Sequence, residues 1–221
     1  MTDDILDILA SSRLFDGVAI PALDALARRA RRLRLKRHAL LWSAGSTLEA
    51  LPVVAAGRLK VGLAERGGRE VVVAIAGPGE ALGETALIDA RPLATHVTAL
   101  APTALILLPV PNLRRALGDD ARLARNLLDL MAQRLREAQQ NAADLALLDV
   151  RDRLARTLTR LAEPCGGEQV ITARLTHQDI AHIVGASRER VSRLFKALAD
   201  SGAIRVERGR IVLRAHAPSN A

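Results

Sequence analysis

The sequence is poor in cysteine and in aromatic residues. Cys165 is the only cysteine among 221 residues, so no intrachain disulfide can form and no cysteine cluster can hold an iron–sulfur centre or zinc. Phe15, Trp42 and Phe195 are the only Phe, Tyr or Trp residues. Proteins that bind single-stranded nucleic acid stack the bases on aromatic side chains, so the composition argues against that function.

Long uncharged apolar stretches and the pattern of a signal peptide are also absent, which predicts a soluble cytoplasmic protein without membrane contact. The sequence has no glycine-rich phosphate loop and no nucleophile with an accompanying base. Glu84 and Asp89 could form a carboxylate pair, but no residue accompanies them that would complete a catalytic site. We therefore expect that the protein is not an enzyme.

Positive charge is abundant and unevenly distributed. The chain has 32 lysines and arginines against 24 aspartates and glutamates, which gives a formal net charge of +8. From Val150 onward there are 13 basic and 7 acidic residues, so most of the excess lies in the last third. A concentrated basic region attracts phosphate and releases counterions on binding. This distribution favours nucleic acid as a partner.

The most informative stretch contains two short helical patterns that meet at Gly185, where a turn needs a left-handed backbone. Thr176 and Asp179 resemble a capping box at the start of the first helix, and Ser187 can cap the second helix. The positions expected to pack between the helices are Ile180, Ala181, Val184, Val191 and Leu194. This pattern predicts a helix-turn-helix.

The second of these helices has one apolar face and one strongly basic face. It opens with Arg188, Glu189 and Arg190 and continues to Arg193 and Lys196. Such a helix suits the major groove of double-stranded DNA, because its polar face can reach base edges and phosphates. The alternative interpretation is an ordinary helical hairpin with a solvated charged face.

The N-terminal half has a different sequence pattern. Residues 40–109 alternate short β-branched or apolar runs with glycine-containing turns, a pattern typical of a β-sandwich or β-roll. A hairpin tip is predicted at 66–69, and a helical segment lies within residues 1–30. The basic run at 28–37 indicates a solvated helix end and an exposed strand edge, with a secondary phosphate contact as the alternative.

A long helix is predicted over residues 113–149. An apolar seam at steps of four and three runs along it and comprises Leu117, Ala121, Ala124, Leu128, Met131, Leu135, Ala138, Ala142 and Leu145. A seam over four heptads favours a parallel two-stranded dimer, and a helix buried within its own monomer is the alternative. Leu123, Leu127 and Leu130 form a second apolar edge that can pack on the β-roll.

The remainder of the chain predicts further elements around the helix-turn-helix. A helix is expected over residues 150–162, followed by a loop at 164–167. Two short strands are expected at 203–206 and 210–213, after the helical pair. Strands in this position form a wing, so the C-terminal part is predicted to be a winged helix-turn-helix.

Together these segments predict an α+β protein of three parts. Residues 1–110 form a jelly-roll-like β-roll with an N-terminal helix, 111–149 a dimerisation helix and hinge, and 150–221 the winged helix-turn-helix. With Leu-Ala-Leu-Leu-Asp-Val-Arg at 145–151 and Thr-His-Gln-Asp-Ile-Ala-His-Ile-Val-Gly-Ala-Ser-Arg-Glu-Arg-Val-Ser-Arg at 176–193, the chain resembles the Crp/Fnr family of bacterial transcription regulators. The resemblance implies a roll of the cyclic-nucleotide-binding type, a homodimer, and contact with RNA polymerase.

The resemblance further implies that Arg188, Glu189 and Arg193 read TGTGA-like half-sites of an inverted repeat. Their chemistry agrees, because arginine can donate two hydrogen bonds to guanine and glutamate can accept one from cytosine. Arg190 and Ser192 depart from the Thr and Gly that a founding member of the family has at these positions, which bears on flanking preference and phosphate contacts. The expected contacts to the DNA backbone are Thr176, His177, Gln178, Ser187, Arg190, Lys196, Arg208 and Arg210.

The resemblance also places an effector pocket in the roll. Its positions here are Gly83, Glu84, Thr85, Leu93, Ala94, Ala138 and Gln139. The Arg-Ser pair that binds the cyclic phosphate falls on Leu93 and Ala94, and the Thr-Ser pair that touches the base falls on Ala138 and Gln139. A phosphate without its guanidinium partner loses a charge-assisted bidentate bond. We therefore predict that cyclic AMP does not bind in the usual mode, and that the protein senses another ligand or binds DNA without an effector.

Other sensors of this family carry iron–sulfur clusters or haem. The cysteine count excludes the cluster. The histidines are His38, His96, His177, His182 and His216. His96 lies near the start of a predicted strand, but a lone histidine is more often a structural residue, so neither haem nor a metal site is expected. A second hypothesis for the function is a ligand-sensing module that contacts an acidic protein through its basic helix.

Overall fold

The computed structural model describes residues 2–64, 70–207 and 210–214. The chain divides into two compact units, residues 1–138 and 139–221. The predicted hairpin tip at 66–69, the predicted phosphate contact Arg208 and His216 lie outside the described residues.

The first unit begins with short helical elements. Helix α1 is Thr2–Ala10, a 3-10 turn is Arg13–Phe15, and helix α2 is Ile20–Ala27. A proline near the start of α2 costs no intrahelical hydrogen bond, because the first N–H groups of a helix have no partner within it. Leu9 and Phe15 are almost completely buried in the larger apolar core of this unit.

Seven strands form the two sheets of the roll. They are β1 Arg31–Leu35, β2 Leu40–Trp42, β3 Ala50–Ala56, β4 Leu59–Ala64, β5 Glu70–Ala76, β6 His96–Ala99 and β7 Thr103–Pro109. The order is β1–β7–β3 in one sheet and β2–β6–β4–β5 in the other, with antiparallel neighbours. Val53 and Val54 are adjacent on β3, and both are fully buried in different apolar clusters. The first sheet is therefore covered by the helices on one face and by the second sheet on the other.

A short helix, α3, spans Glu84–Asp89 between β5 and β6. Gly83 precedes it with a φ of 88°, and Ala90 follows it with a φ of 58°. Both residues therefore adopt left-handed backbone, which suits glycine but strains alanine. The two reversals confine α3 to less than two turns.

The predicted continuous helix over residues 113–149 is wrong, because the chain breaks at Asp120. Helix α4 is Val110–Asp119 and helix α5 is Ala121–Leu147. Asp120 has a φ of −123° and a ψ of 105°, and its Oδ1 accepts hydrogen bonds of 2.8 and 3.0 Å from two backbone N–H groups in the first turn of α5. The aspartate thus caps α5 and ends the preceding helix.

One edge of α5 packs on the first unit. Leu123 and Leu127 are buried in its core, as the second apolar edge predicted. Asn126 is also buried, and its Nδ2 donates hydrogen bonds to the carbonyl oxygens of Leu14 at 3.1 Å and Asp16 at 2.8 Å. These bonds satisfy a buried amide and fix the start of α5 against the N-terminal elements.

The second unit is a winged helix-turn-helix. After the end of α5 its elements are α6 Val150–Leu161, β8 Glu163–Cys165, β9 Glu168–Ile171, α7 His177–Val184, α8 Arg188–Asp200, β10 Ile204–Glu207 and β11 Arg210–Leu213. The sheet order is β10–β11–β9–β8. The predicted wing is confirmed within one residue. The predicted loop at 164–167 is confirmed for the turn at 166–167 and wrong for 164–165, which belong to β8 and pair with β9. Every residue of β8 is exposed, so no apolar alternation marked this strand.

The core of the second unit joins α6 to both helices of the motif. Leu154, Ile180, Val191 and Phe195 are buried in one cluster with Ile171 of β9. This cluster sets the angle at which α8 leaves the turn. Across the described ranges of the chain, no helix is both long and apolar enough to cross a membrane.

Candidate nucleic-acid interface and sensor region

The turn between α7 and α8 depends on Gly185. Its φ of 67° and ψ of 50° lie in the left-handed region, as the sequence predicted. A Cβ at this position would lie 3.1 Å from Leu145 Cδ2, so another residue would add a tight contact to an unfavourable backbone conformation. Ala181 is fully buried in the same core. Ala181 belongs to the cluster that contains Val191 and Phe195 of α8, whereas Gly185 acts through its backbone conformation and its contact with Leu145.

Both helices of the motif have the predicted caps. Thr176 Oγ1 accepts a hydrogen bond from Asp179 N at 3.1 Å, and Asp179 Oδ2 accepts from Thr176 N at 3.0 Å and from its hydroxyl at 2.7 Å. Ser187 Oγ accepts from Arg190 N at 3.2 Å. The capping box uses both donors of Thr176, whereas the hydroxyl hydrogen of Ser187 can still reach a phosphate.

Helix α8 presents one exposed polar face. Val191 and Phe195 are buried, whereas Arg188, Glu189 and Arg193 are exposed. Glu189 and Arg193 lie one turn apart and share this face. A groove-reading helix needs this division, because burial of one face fixes the helix while the other reaches base edges. The structure therefore leaves all three predicted base-reading residues accessible.

The predicted contacts to the DNA backbone are accessible as far as they are described. The exposed residues are Thr176, His177, Gln178, Ser187, Arg190, Lys196 and Arg210. Besides the capping bonds of Thr176 and Ser187, two further residues of this set make side-chain contacts within the motif. His177 Nδ1 lies 2.9 Å from Ser192 Oγ, and Gln178 Nε2 forms a hydrogen bond with His182 Nε2.

Sequence reasoning missed a row of three arginines on α6. Arg153 Nε donates to the carbonyl oxygen of Val184 at 2.8 Å, at the end of α7, and its Nη1 donates to Leu148 O at 2.7 Å. Further along α6, Arg156 pairs with Asp144 Oδ1 at 2.6 Å, and Arg160 pairs with Asn141 Oδ1. Both partners lie in the last turns of α5. The spacing of three and four residues is the only signal in the sequence, since the partners are carbonyls and side chains elsewhere in the chain.

Helix α6 starts at a capped aspartate. Asp149 Oδ1 accepts a hydrogen bond from Asp152 N at 2.9 Å. Hydrogen bonding to the backbone N–H of Asp152 lowers the pKa of the Asp149 carboxyl below its usual value. The ionised carboxylate is therefore part of the start of this helix.

In the β-roll, Leu93 is a core residue. It is 5% exposed, and its backbone is bound on both sides: Leu93 N donates to Ser46 O at 2.9 Å, and Leu93 O accepts from Gly45 N at 2.7 Å. A Cβ on Gly83 would lie 2.9 Å from Leu48 Cδ1 and 3.6 Å from Leu93 Cδ2. Apolar side chains therefore pack against the glycine of the Gly-Glu turn.

Glu84 is the buried charge of this region. It is 7% exposed, and its Oε1 lies 3.5 Å from Arg134 Nε on α5. Burial raises the pKa of Glu84 above its usual value. Arg134 also lies 3.7 Å from Glu80 and 3.3 Å from Glu137. Three carboxylates thus surround one guanidinium, and sequence reasoning did not identify Arg134 because its partners lie far along the chain.

The other predicted pocket residues are exposed. Thr85 follows Glu84 on α3, Ala94 follows Leu93, and Ala138 and Gln139 are adjacent on α5. Of the seven predicted positions, the structure buries Glu84 and Leu93 in the first unit.

Most of the predicted dimer seam is accessible on α5. Leu128, Leu135 and Leu145 are 65%, 60% and 53% exposed, which is unusual for leucine on a long helix. Leu117 differs, because it lies on α4 and packs against the core of the first unit. The other seam residues are half-buried or exposed: Ala121, Ala124, Met131, Ala138 and Ala142.

His96 contacts a carboxylate that also pairs with a lysine. Its Nε2 lies 3.0 Å from Glu70 Oε1, which also lies 2.8 Å from Lys60 Nζ. In the part of the chain that the structure describes, no group of three or more His, Cys, Asp or Glu side chains is placed to hold a metal ion.

Comparison with known proteins agrees with this architecture. Residues 152–217 match the Crp-like helix-turn-helix domain, and residues 32–120 match the cyclic nucleotide-binding domain. The CRP-like cAMP-activated global transcriptional regulator of Mycobacterium tuberculosis is 32% identical over 211 residues, which cover 94% of each chain. The chain belongs to the Crp/Fnr family. This family consists of transcription regulators with a helix-turn-helix, and the predicted fold class is confirmed.

Two further proteins show how far the similarity extends within the family. The cyclic AMP receptor protein of Thermus thermophilus is 32% identical over 207 residues, which cover 93% of this chain and 94% of that protein. The c-di-GMP responsive global regulator CLP of Xanthomonas campestris has a similar structure, with a TM-score of 0.74 and 25% identity over 90% of this chain and all of the other. The names of these two proteins mention different nucleotides, cyclic AMP and c-di-GMP.

Proposed function

We propose that this Crp/Fnr protein is a homodimer that reads TGTGA-like half-sites of an inverted repeat through Arg188, Glu189 and Arg193. The observation that carries the proposal is the exposed polar face of α8, whose opposite face is buried. Arginine paired with guanine O6 and N7, and glutamate paired with cytosine N4, distinguish these bases in the major groove. Each subunit contributes one α8 to one half-site, about one turn of DNA apart.

Phosphate contacts fix the position of α8 in the groove. We assign them to the exposed residues His177, Gln178, Ser187, Arg190, Lys196 and Arg210, and to Arg208. Both donors of Thr176 are used in the capping box, so the contact at this position is assigned to the N-terminus of α7. Such contacts carry little sequence information, but they set register and affinity. They make binding strongly dependent on salt.

The dimer forms along α5. Leu128, Leu135 and Leu145 expose apolar side chains at helical spacing, and a second copy of the same helix would cover them. The small residues Ala124, Ala138 and Ala142 allow close approach of the two helices.

The β-roll is the sensor, and cyclic AMP does not bind to it in the usual mode. Leu93 packs in the core where the family motif has arginine, so no guanidinium is available from that position. The protein senses another ligand or binds DNA without one. It acts in the cytoplasm as a regulator rather than an enzyme, and contact with RNA polymerase is part of this proposal.

The test is in-vitro selection of duplex DNA by the purified protein, with and without cyclic AMP. Enrichment of a TGTGA-like inverted repeat in both arms supports an effector-independent regulator. Enrichment only with cyclic AMP contradicts the proposed role of Leu93. Failure in both arms, together with capture of an acidic protein partner, would replace DNA reading by the protein-contact hypothesis.

A further inference from the structure

A side-chain hydrogen bond connects the two helices of the DNA-binding motif. His177 is the first residue of α7, and its Nδ1 lies 2.9 Å from Ser192 Oγ on α8. Ser192 is half-buried and follows Arg188 by one turn of the helix. The bond therefore ties the N-terminus of the first helix to the reading helix, beside the base-reading residues.

The imidazole ring is also fixed by packing. Its centroid lies 4.8 Å from that of Phe195, with the ring planes at 39°. Phe195 is 5% exposed and belongs to the core of the second unit, so packing in that core holds its ring in place. One hydrogen bond and one ring contact together define both the position and the rotation of His177.

The second ring nitrogen remains accessible for a ligand. His177 is exposed, and among residues 2–64, 70–207 and 210–214 Ser192 is the one hydrogen-bond partner of its ring. Nδ1 and Nε2 lie on different edges of the imidazole, so a bond from Nδ1 to Ser192 leaves Nε2 facing away from that serine.

A serine hydroxyl suits this position because it both donates and accepts. When it donates to Nδ1, the neutral ring carries its proton on Nε2 and can donate to an anion. When the ring is protonated, Nδ1–H donates to Ser192 Oγ and Nε2–H still donates outward. Ser192 therefore supports the donor form of Nε2 in both protonation states.

We propose that Ser192 is a positioning residue that aims Nε2 of His177 at a phosphate of the bound DNA. This inference rests on the proposed function, in which His177 contacts the backbone. Ser192 itself makes no base contact in this scheme, because its hydroxyl is used by the ring.

The test is a double-mutant cycle on binding to the selected duplex. His177→Ala is expected to weaken binding about tenfold on specific and random duplexes alike, since one charge-assisted bond is lost. Ser192→Ala is expected to weaken it about threefold, and the double variant should bind no more weakly than His177→Ala. Ser192→Thr keeps the hydroxyl and should restore the affinity.

Ser201→Ala is the matched control, because its hydroxyl donates to Leu198 O at the far end of α8. It should leave DNA affinity unchanged. Equal loss from Ser192→Ala in the presence and absence of His177 would mean that Ser192 touches DNA directly, and would overturn the proposal. A lower Tm with unchanged affinity would also overturn it. If the wild-type protein binds no duplex, the proposed function fails together with this role; if it binds and the cycle is additive, only the positioning role fails.

Discussion

Charged side chains occupy opposite environments in the two units. On α8, Arg188, Glu189 and Arg193 are exposed above a packed apolar face. Around α3, Glu84 is buried and lies within 3.5 Å of Arg134. Charged groups on an exposed surface remain hydrated until a ligand binds, whereas charged groups that pair inside the protein lose hydration when it folds. The exposed face of α8 is therefore open to a partner, whereas the carboxylates of the first unit already lie around Arg134 of the same unit.

The largest predicted effect comes from placing a charge in the sensor core. Leu93→Arg should lower the free energy of unfolding by about 3–5 kcal/mol, because an unpaired guanidinium would replace a buried apolar side chain. Leu40→Arg is the control, since Leu40 is 53% exposed, and should change it by less than about 0.5 kcal/mol. Urea denaturation measures both. A stable Leu93→Arg protein that binds cyclic AMP would show that position 93 lines a ligand pocket.

On the exposed face of α8, Arg193→Ala should cost about 1–3 kcal/mol of affinity for the selected repeat and relax the preference at one base pair. Lys196→Ala is the matched variant, with loss of a phosphate contact only. It should weaken binding to specific and random DNA alike and reduce the salt slope by about one. Fluorescence anisotropy across a salt series distinguishes the two. Equal behaviour of the two variants would contradict the assigned division between base and phosphate contacts.

A smaller effect is expected at the turn of the motif. Gly185→Ala should destabilise the second unit by about 1–2 kcal/mol, because alanine is strained at a φ of 67° and its Cβ would lie 3.1 Å from Leu145. Gly118→Ala in α4 is the opposite case. It has no atom within 4 Å of the added Cβ, and should stabilise the protein by about 0.5–1 kcal/mol. Thermal unfolding of both variants tests the contrast in sign.

The smallest predicted effects are changes in stability with pH. Their directions are opposite for Glu84 in the first unit and Asp149 in the second. The raised pKa of Glu84 means that the folded state holds its proton more tightly, so its contribution to stability falls as the pH rises above the unfolded pKa. Glu84→Gln should therefore gain stability relative to wild type between acidic and neutral pH. The lowered pKa of Asp149 means that its contribution is lost as the pH falls through the folded value.

Asp149→Ala should accordingly be less stable than wild type at neutral pH, with a difference that shrinks in acid. Unfolding curves over a pH series measure both carboxylates. Parallel pH profiles for wild type and Glu84→Gln would show that burial does not shift the Glu84 equilibrium.

The features that the sequence predicted depend on neighbouring residues. The capping box of Thr176 and Asp179 joins residues three apart, and Gly185 acts through its own φ. The face of α8 follows from helical periodicity alone. These are short-range properties, so the DNA-reading surface could be predicted without the fold.

Two features were not predicted, for different reasons. Arg134 lies 50 residues along the chain from Glu84, and nothing near either residue in the sequence indicates that they meet. The break at Asp120 is local, because the aspartate accepts hydrogen bonds from the backbone N–H groups of Arg122 and Leu123. The apolar pattern continues across this residue, so periodicity alone did not indicate the break.

The arginine row on α6 has a mechanical consequence. Residues 139–147 of α5 belong to the same compact unit as the helix-turn-helix. Arg156 and Arg160 bind the last turns of α5 to α6, and Arg153 binds Leu148, the residue that follows α5. Arg153 also bonds to the end of α7. These bonds hold the end of α5, α6 and the end of α7 together, so a rotation of this part of α5 would also turn the helix-turn-helix.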